Sequence, residues 1–278
     1  MGCEREELIR SFDGVELYRR FDVPDAYKGM VLLLHGLGGH SRRFDEATRL
    51  LNEAGWGVCR WDARGHGRSG GARAYLADFR HFIEDADFIV DSLKTELMTE
   101  KKAPLFMWGY SMGGFVAACW GILHPGKLSG QVFLGACAQP LPLYRNFRRL
   151  NLEKLALRLS PSIGSELLAR DPRVGREYDR DPCVLRAFTN KLLHEVFILG
   201  VDWLQGELHR HSYPFLLLHG EEDRIVPVAS SQFLHERSAS PDKTLEILPG
   251  LWHDLLHEAG REEIIARIVR WMEERVQS

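Results

Sequence analysis

The sequence predicts an α/β fold, a mostly parallel central sheet with helices on both faces, interrupted by a helical cap insertion. Three observations predict it. Short continuous apolar runs, such as residues 31–34 (VLLL) and 105–108 (LFMW), read as strands buried on both faces. They alternate with segments of helical periodicity, the order that winds a parallel sheet. The alternation fails between Gln139 and Ser212 and then resumes.

Residues 6–11 and 15–23 read as a strand pair joined at Asp13-Gly14, a favoured hairpin turn. After the buried strand 31–34, a helix over about 44–54 stops at Gly55, a C-cap residue, and strand 58–61 follows. Phe79, Phe82, Ile83, Ala86, Ile89, Val90, Leu93 and Leu97 recur at helical spacing and predict an amphipathic helix. Strands 105–108 and 132–134 flank a helix from Gly113 to about His124. No strand is expected in the insertion. Leu143, Phe147 and Leu150 keep helical spacing there, as do Leu152, Leu155 and Leu159. Asp181-Pro182 predicts an N-cap with Pro at the first helical position, followed by an apolar stripe of Leu185, Phe188, Leu192, Val196 and Leu199. Beyond the insertion come strand 215–218, a helix near 230–236, strand 244–248 and a closing helix from about Leu255. The expected organisation is thus a core of residues 1–138 and 213–278, with residues 139–212 as a helical cap. Such a cap would cover the crevice at the strand C-termini, where doubly wound sheets bind ligands.

Composition narrows the function classes. The 278 residues suffice for one large domain or for a core with an insertion. A net charge of -3 gives no reason to expect nucleic acid as a partner. Cys3, Cys59, Cys119, Cys137 and Cys183 are odd in number and lack metal-ligand spacing, so neither a disulfide framework nor structural zinc is expected. Charged residues 4–7 stand where a signal peptide would be apolar, and no apolar run approaches the ~20 residues that span a bilayer. These features predict a cytoplasmic protein.

The chemistry-bearing motif is Gly109-Tyr110-Ser111-Met112-Gly113, set between a predicted strand and a predicted helix. A serine on that turn is lifted clear of the sheet, with a helix N-terminus aimed at developing negative charge. A serine hydroxyl needs a base, and the base needs a third group to fix its tautomer. His253 lies in a loop just after strand 244–248, on the same sheet edge as Ser111. Its main rival is His257, four residues on and expected within the closing helix. A loop reaches over a nucleophile more readily than a helix face does, which favours His253. His209 and His211 read as surface or hinge residues, and His124 as structural. Glu221, Glu222 and Asp223 all follow strand 215–218. Asp223 precedes the turn Arg224-Ile225-Val226-Pro227, and the order Ser111, Asp223, His253 suits a nucleophile elbow of this kind. Two backbone donors must await the oxyanion. The Met112 N–H is one, and the Leu37 N–H of the loop His35-Gly36-Leu37-Gly38-Gly39 is the other. His35 at the strand end reads as a loop-fixing residue.

These motifs, with Asp62-Ala63-Arg64-Gly65-His66-Gly67-Arg68-Ser69-Gly70, Gly220-Glu221-Glu222-Asp223-Arg224-Ile225-Val226-Pro227 and His253-Asp254, resemble the monoacylglycerol lipase and lysophospholipase branch of the α/β-hydrolases. The resemblance runs from about Asp13 to the C-terminus. It implies Ser111, Asp223 and His253 as the triad, Leu37 and Met112 as oxyanion donors, Arg64 and His66 as loop architecture, and no metal or organic cofactor. The reaction it implies is ester hydrolysis through an acyl-enzyme on Ser111. A cap rich in Leu and Phe predicts an apolar acyl pocket and a small-molecule ester or lipid substrate. In residues 139–160, Arg145, Arg148, Arg149, Lys154 and Arg158 face a single acid, Glu153, which suggests transient contact of the cap with a membrane surface. A short-chain or aryl carboxylesterase, an amide hydrolase and a non-catalytic ligand receptor are the alternatives. Oligomeric state is not written in the sequence.

Overall fold

The computed structural model describes residues 3–97, 103–149, 151–161 and 164–276. Strands β1 (Cys3–Arg10), β2 (Glu16–Val23), β3 (Met30–Leu34), β4 (Gly57–Trp61), β5 (Leu105–Tyr110) and β6 (Gly130–Leu134) come first along the chain. The segment between β6 and β9 contains β7 (Leu159–Pro161) and β8 (Ala187–Thr189), and β9 (Phe215–Gly220) and β10 (Lys243–Leu248) complete the series. The main sheet has eight strands in the order β1-β2-β4-β3-β5-β6-β9-β10. The β1–β2 and β2–β4 pairs are antiparallel and every other pair is parallel. The first pair turns at Asp13-Gly14, where Ser11 N–H donates to Val15 O at 2.8 Å.

Burial on both faces explains why the inner strands are predominantly apolar, with Arg60, Gln131 and His219 as buried exceptions. Val31, Leu33, Phe106, Trp108, Val132, Leu134, Leu216 and Leu218 pack with α1 (Asp45–Glu53) and the C-terminal helix Arg261–Glu274. Leu32, Leu34, Met107, Phe133 and Leu217 face the other way, toward α2 (Arg80–Leu97) and α3 (Met112–Leu123). Helix α3 is apolar all round and buried from Met112 to Ile122, as a helix between sheet and insertion must be. Leu97, the last residue in the predicted stripe of α2, has a side chain outside the described part of the structure.

The segment between β6 and β9 departs most from its sequence pattern. It contains the 3-10 helix Pro142–Arg149, α4 (Leu152–Leu155), α5 (Pro172–Arg180), α6 (Asn190–His194), the π-helix Glu195–Gly200 and α7 (Val201–Glu207). Leu150 lies outside the described residues. The expectation of no strand is overturned by antiparallel β7 and β8, paired from Leu159 with Thr189 to Pro161 with Ala187. Three-residue strands are too short for a period of two to show, so Leu159 and Phe188 pass for members of helical stripes.

Asp181-Pro182 does not start a helix. Asp171-Pro172 does, with the Asp171 side chain accepting from Arg173 N–H at 2.9 Å, whereas Asp181 closes α5 and binds Cys183 N–H at 2.8 Å. The two dipeptides carry the same local signal, and tertiary contacts choose between them. Leu199 is exposed although its predicted stripe would bury it, because the π-helix adds a residue to the turn and rotates Phe197 inward instead. The closing helix begins at Arg261, after Gly260 breaks the chain, and His257 sits in a separate 3-10 turn, Leu255–His257.

His211 is fully buried, not at the surface. Its Nε2 lies 2.6 Å from Gln131 Oε1 and its Nδ1 3.0 Å from Ser238 Oγ. Burial lowers its pKa to about 4. Among the described residues, no helix is long and apolar enough to cross a membrane.

Candidate active site

Ser111 stands between the last residue of β5 and the first of α3, at φ 54° and ψ −116°. A non-glycine residue there carries roughly 1–3 kcal/mol of backbone strain, which persists only where surroundings over-determine it. They do so here. Ser111 N–H donates to Leu134 O at 2.9 Å, and Ser111 O accepts from Gly114 N–H at 2.9 Å and Phe115 N–H at 3.2 Å. The flanking glycines are steric necessities. A Cβ at Gly109 would sit 2.4 Å from Gly113 O, and one at Gly113 would sit 2.2 Å from Leu34 O.

Asp223 follows β9 and His253 follows β10, so both project from the sheet edge that carries Ser111. His253 Nδ1 and Asp223 Oδ2 are 2.6 Å apart. Asp223 Oδ1 accepts from the Ile225 and Val226 amides at 2.8 and 2.9 Å, which fixes the carboxylate plane. Burial pushes the Asp223 carboxyl up, but His253 and His219 outweigh it and hold the carboxyl well below the usual carboxylate range. His257, the rival base, also lines the cleft, but its Nδ1 is engaged 2.8 Å from Asp254 Oδ1. Glu221 accepts from Gly250 N–H at 3.2 Å, and Glu222 from the Trp252 indole N–H at 3.4 Å. Neither glutamate touches His253. His124 is 3.2 Å from Asp87, and His209 is exposed beside Gly206 O.

Ser111 and His253 line one cleft with His35, Gly36 and Leu37, enclosing about 740 Å³ of space that includes open solvent. Among the described residues, neither the Leu37 nor the Met112 amide donates to a protein acceptor. The Met112 amide is one of the orphan donors every helix N-terminus leaves. His35 secures the loop from the core side. Its Nδ1 lies 2.8 Å from Gly36 O, and its Nε2 accepts from Ala63 N–H at 2.9 Å. Arg64 is bound to Asp85 and Asp13, away from the cleft. His66 is buried, and burial with the His35 ring beside it lowers its pKa to about 3.

A family model described as "Serine aminopeptidase, S33" matches residues 25–260. The chain is 31% identical over 277 residues to a monoacylglycerol lipase of Mycolicibacterium smegmatis, covering 96% of each protein. It is also 31% identical to the human monoglyceride lipase, covering 95% of this chain and 88% of that one. The crystal structure of a Paleococcus ferrophilus monoacylglycerol lipase superposes with a TM-score of 0.80 at 29% identity, over 94% of this chain and 99% of that one. The chain belongs to the serine aminopeptidase S33 family of α/β-hydrolases.

In this S33-family chain, three features in and behind the cleft escape sequence reasoning. His219 Nε2 approaches Asp223 Oδ2 at 3.1 Å, and its Nδ1 approaches Ser231 Oγ at 2.6 Å. It sits inside an apolar run, where a histidine gives no functional signal. Gly135, at φ 55°, leaves room for the His–Asp pair, since a Cβ there would be 3.1 Å from His253 Nδ1. The third is a polar patch in the cleft wall. Arg43 donates to Asp254 Oδ2 at 2.7 Å and lies over the Tyr178 ring at 5.2 Å. Asp254 stays buried and ionised, because His257 and Arg43 offset the cost of its desolvation. Arg43 and Asp254 are 211 positions apart, so only the fold reveals the pair.

Proposed function

We propose that this serine hydrolase cleaves carboxylic esters with one long acyl chain and a small polar head, as in a monoacylglycerol, using Ser111, His253 and Asp223. The observation that carries the reading is the 2.6 Å His253–Asp223 pair opening into the cleft that holds the strained Ser111. Asp223 accepts the Nδ1–H of His253, leaving Nε2 free to take the Ser111 hydroxyl proton as Oγ attacks the ester carbonyl. The Leu37 and Met112 amides receive the oxyanion. His253 then returns its proton to the departing alkoxide, and water repeats the sequence on the acyl-enzyme.

Substrate class follows from the walls. Leu37, Leu141, Leu168, Phe188, Phe197 and Ile225 give the cleft an apolar flank suited to an acyl chain. Among the described residues, the carboxylate lining the cleft is Asp254, already bound by Arg43 and His257, which leaves no free acid among them to hold the α-ammonium of a peptide. That favours an ester over an aminopeptidase substrate. Hydrolysis of p-nitrophenyl esters from acetate to palmitate, and of a long-chain monoacylglycerol, tests the assignment. Activity should peak at medium or long chains. A peak at acetate would instead identify a general carboxylesterase.

Residues 139–212 serve in this reading as a cap that meets lipid. Leu143, Leu157 and Leu159 are exposed at 61%, 72% and 60%, an unusual density of bare leucine. Exposed Arg149, Lys154 and Arg158 accompany them, with no acidic partner among the described residues. Arg148 is paired with Asp202, and the side chains of Arg145 and Glu153 lie outside the described part. A basic residue near an anionic bilayer contributes about 1 kcal/mol. Replacing Arg149, Lys154 and Arg158 by Gln should therefore reduce co-sedimentation with anionic vesicles by roughly tenfold or more. Equal sedimentation of the wild type with neutral and anionic vesicles would remove the proposal.

A further inference from the structure

The loop that carries Leu37 is held from two sides. The core side is His35, described above. The other side is the insertion. Leu185 N–H donates to Gly38 O at 2.9 Å, immediately after Leu37. His40 Nε2 lies 2.9 Å from Asp181 Oδ2, and His40 is itself buried. The contact is close-packed. Gly38 adopts φ +75°, and a Cβ there would lie 2.9 Å from Phe188 Cζ and 3.1 Å from the Tyr178 hydroxyl. Asp181 divides its two oxygens, with Oδ1 on Cys183 N–H and Oδ2 on His40. The first bond shapes the turn after α5 that delivers Leu185, and the second reaches across to the core.

We infer that Asp181 is a positioning residue for the reaction, holding the oxyanion loop in place through His40 while the turn it shapes binds Gly38. The inference rests on the reading of Leu37 as an oxyanion donor. A covering segment need only bury the substrate. This one also fixes the backbone on one flank of a donor, while His35 fixes the other flank. Displacing that donor weakens a bond made to the developing oxyanion and not to the ground-state ester. Asp181 therefore acts on kcat and leaves substrate binding alone.

The test compares Asp181→Ala, His40→Ala and their double variant, with Gly38→Ala as an independent perturbation that leaves Asp181 in place. Each is measured for kcat, KM, affinity for a trifluoromethyl ketone that forms a tetrahedral adduct, and amide hydrogen exchange of residues 35–41. Asp181→Ala should lower kcat roughly tenfold, short of the 10²–10³ lost when a donor is removed outright. KM should stay within about twofold, ketone affinity should fall in step with kcat/KM, and exchange in the loop should rise. The double variant should be no worse than the poorer single variant, because both cut one connection. An unchanged kcat, a rise in KM alone, or additive losses in the double variant would overturn the inference. Should Asp181→Ala fail to fold, His40→Ala, which cuts the same connection and spares the Asp181–Cys183 bond, decides by the same readouts. Labelling of the wild type at Ser111 by a fluorophosphonate separates the two levels. Its absence would defeat the triad reading, whereas labelling with unchanged kcat in the variants would defeat this inference alone.

Discussion

Replacing Ser111 by Ala is expected to lower kcat by roughly 10⁴-fold or more without unfolding the protein. Alanine removes Oγ and leaves the backbone where it is, because the bonds holding Ser111 at φ 54° all come from its main chain. The comparison with Ser111→Gly carries the stronger inference. Glycine adopts the left-handed region freely, so the strain of roughly 1–3 kcal/mol is relieved, less the greater entropy glycine loses on folding. Ser111→Gly should be equally inactive yet more stable by about 1 kcal/mol, a rise of roughly 2–4 °C in Tm for a chain of this size. Ester turnover and thermal unfolding measured on all three proteins check both parts. Retained activity in either variant would sink the assignment of the nucleophile. A Ser111→Gly protein less stable than Ser111→Ala would show that the backbone strain is not real.

Asp223→Asn should lower kcat by about 10³–10⁴-fold with little change in the fold. The structure dictates why so small a change matters. Oδ1 accepts from two amides, so an asparagine must keep its carbonyl oxygen there and place its NH₂ where Oδ2 now meets His253. His253 Nδ1 must then accept, which moves its proton to Nε2 and points an N–H at the nucleophile. The base becomes a donor. Turning the amide over would leave the Ile225 and Val226 amides facing an NH₂ group, a worse arrangement for buried donors. The rate of Ser111 acylation by a p-nitrophenyl ester reads the effect directly. A loss under tenfold would show that Asp223 does not set the tautomer. Equal damage from His257→Ala would reopen the choice of base.

The core was legible because its signals are local and repeated. Each inner strand holds a short apolar run with a glycine at or soon after its end, as at Trp108-Gly109 and Leu134-Gly135. The candidate triad positions could be read because each follows its own strand, and sheet topology makes strand C-termini neighbours. Other features depend on contacts that no window of sequence contains. Asp171-Pro172 and Asp181-Pro182 are locally equivalent, and only His40, far away in the chain, distinguishes the second. The π-helix shifts a stripe by one position, so Phe197 faces inward where spacing assigns the inside to Leu199. His211 and His219 sit beside polar partners, Gln131 and Ser231, whose proximity is a product of folding. A histidine's burial is invisible until its partners are known.

The insertion leaves the sheet after β6 and returns at β9, and those two strands are direct neighbours, with Gln131 opposite Phe215. The pair is parallel, so the segment leaves at the C-terminal end of β6, beside Leu218, and must cross back to enter β9 at Phe215, yet it could be exchanged for another crossover without cutting a rung of the ladder. Such exchange is how one hydrolase core can acquire new substrates. Here the freedom is conditional. By the inference drawn above, a replacement segment that restored an apolar wall, but brought no acid to His40 and no amide to Gly38, would inherit the pocket without its full rate. If the inference about Asp181 holds, two hydrogen bonds filter recombination at this junction, and a graft of a new segment should carry residues 178–188 as a unit.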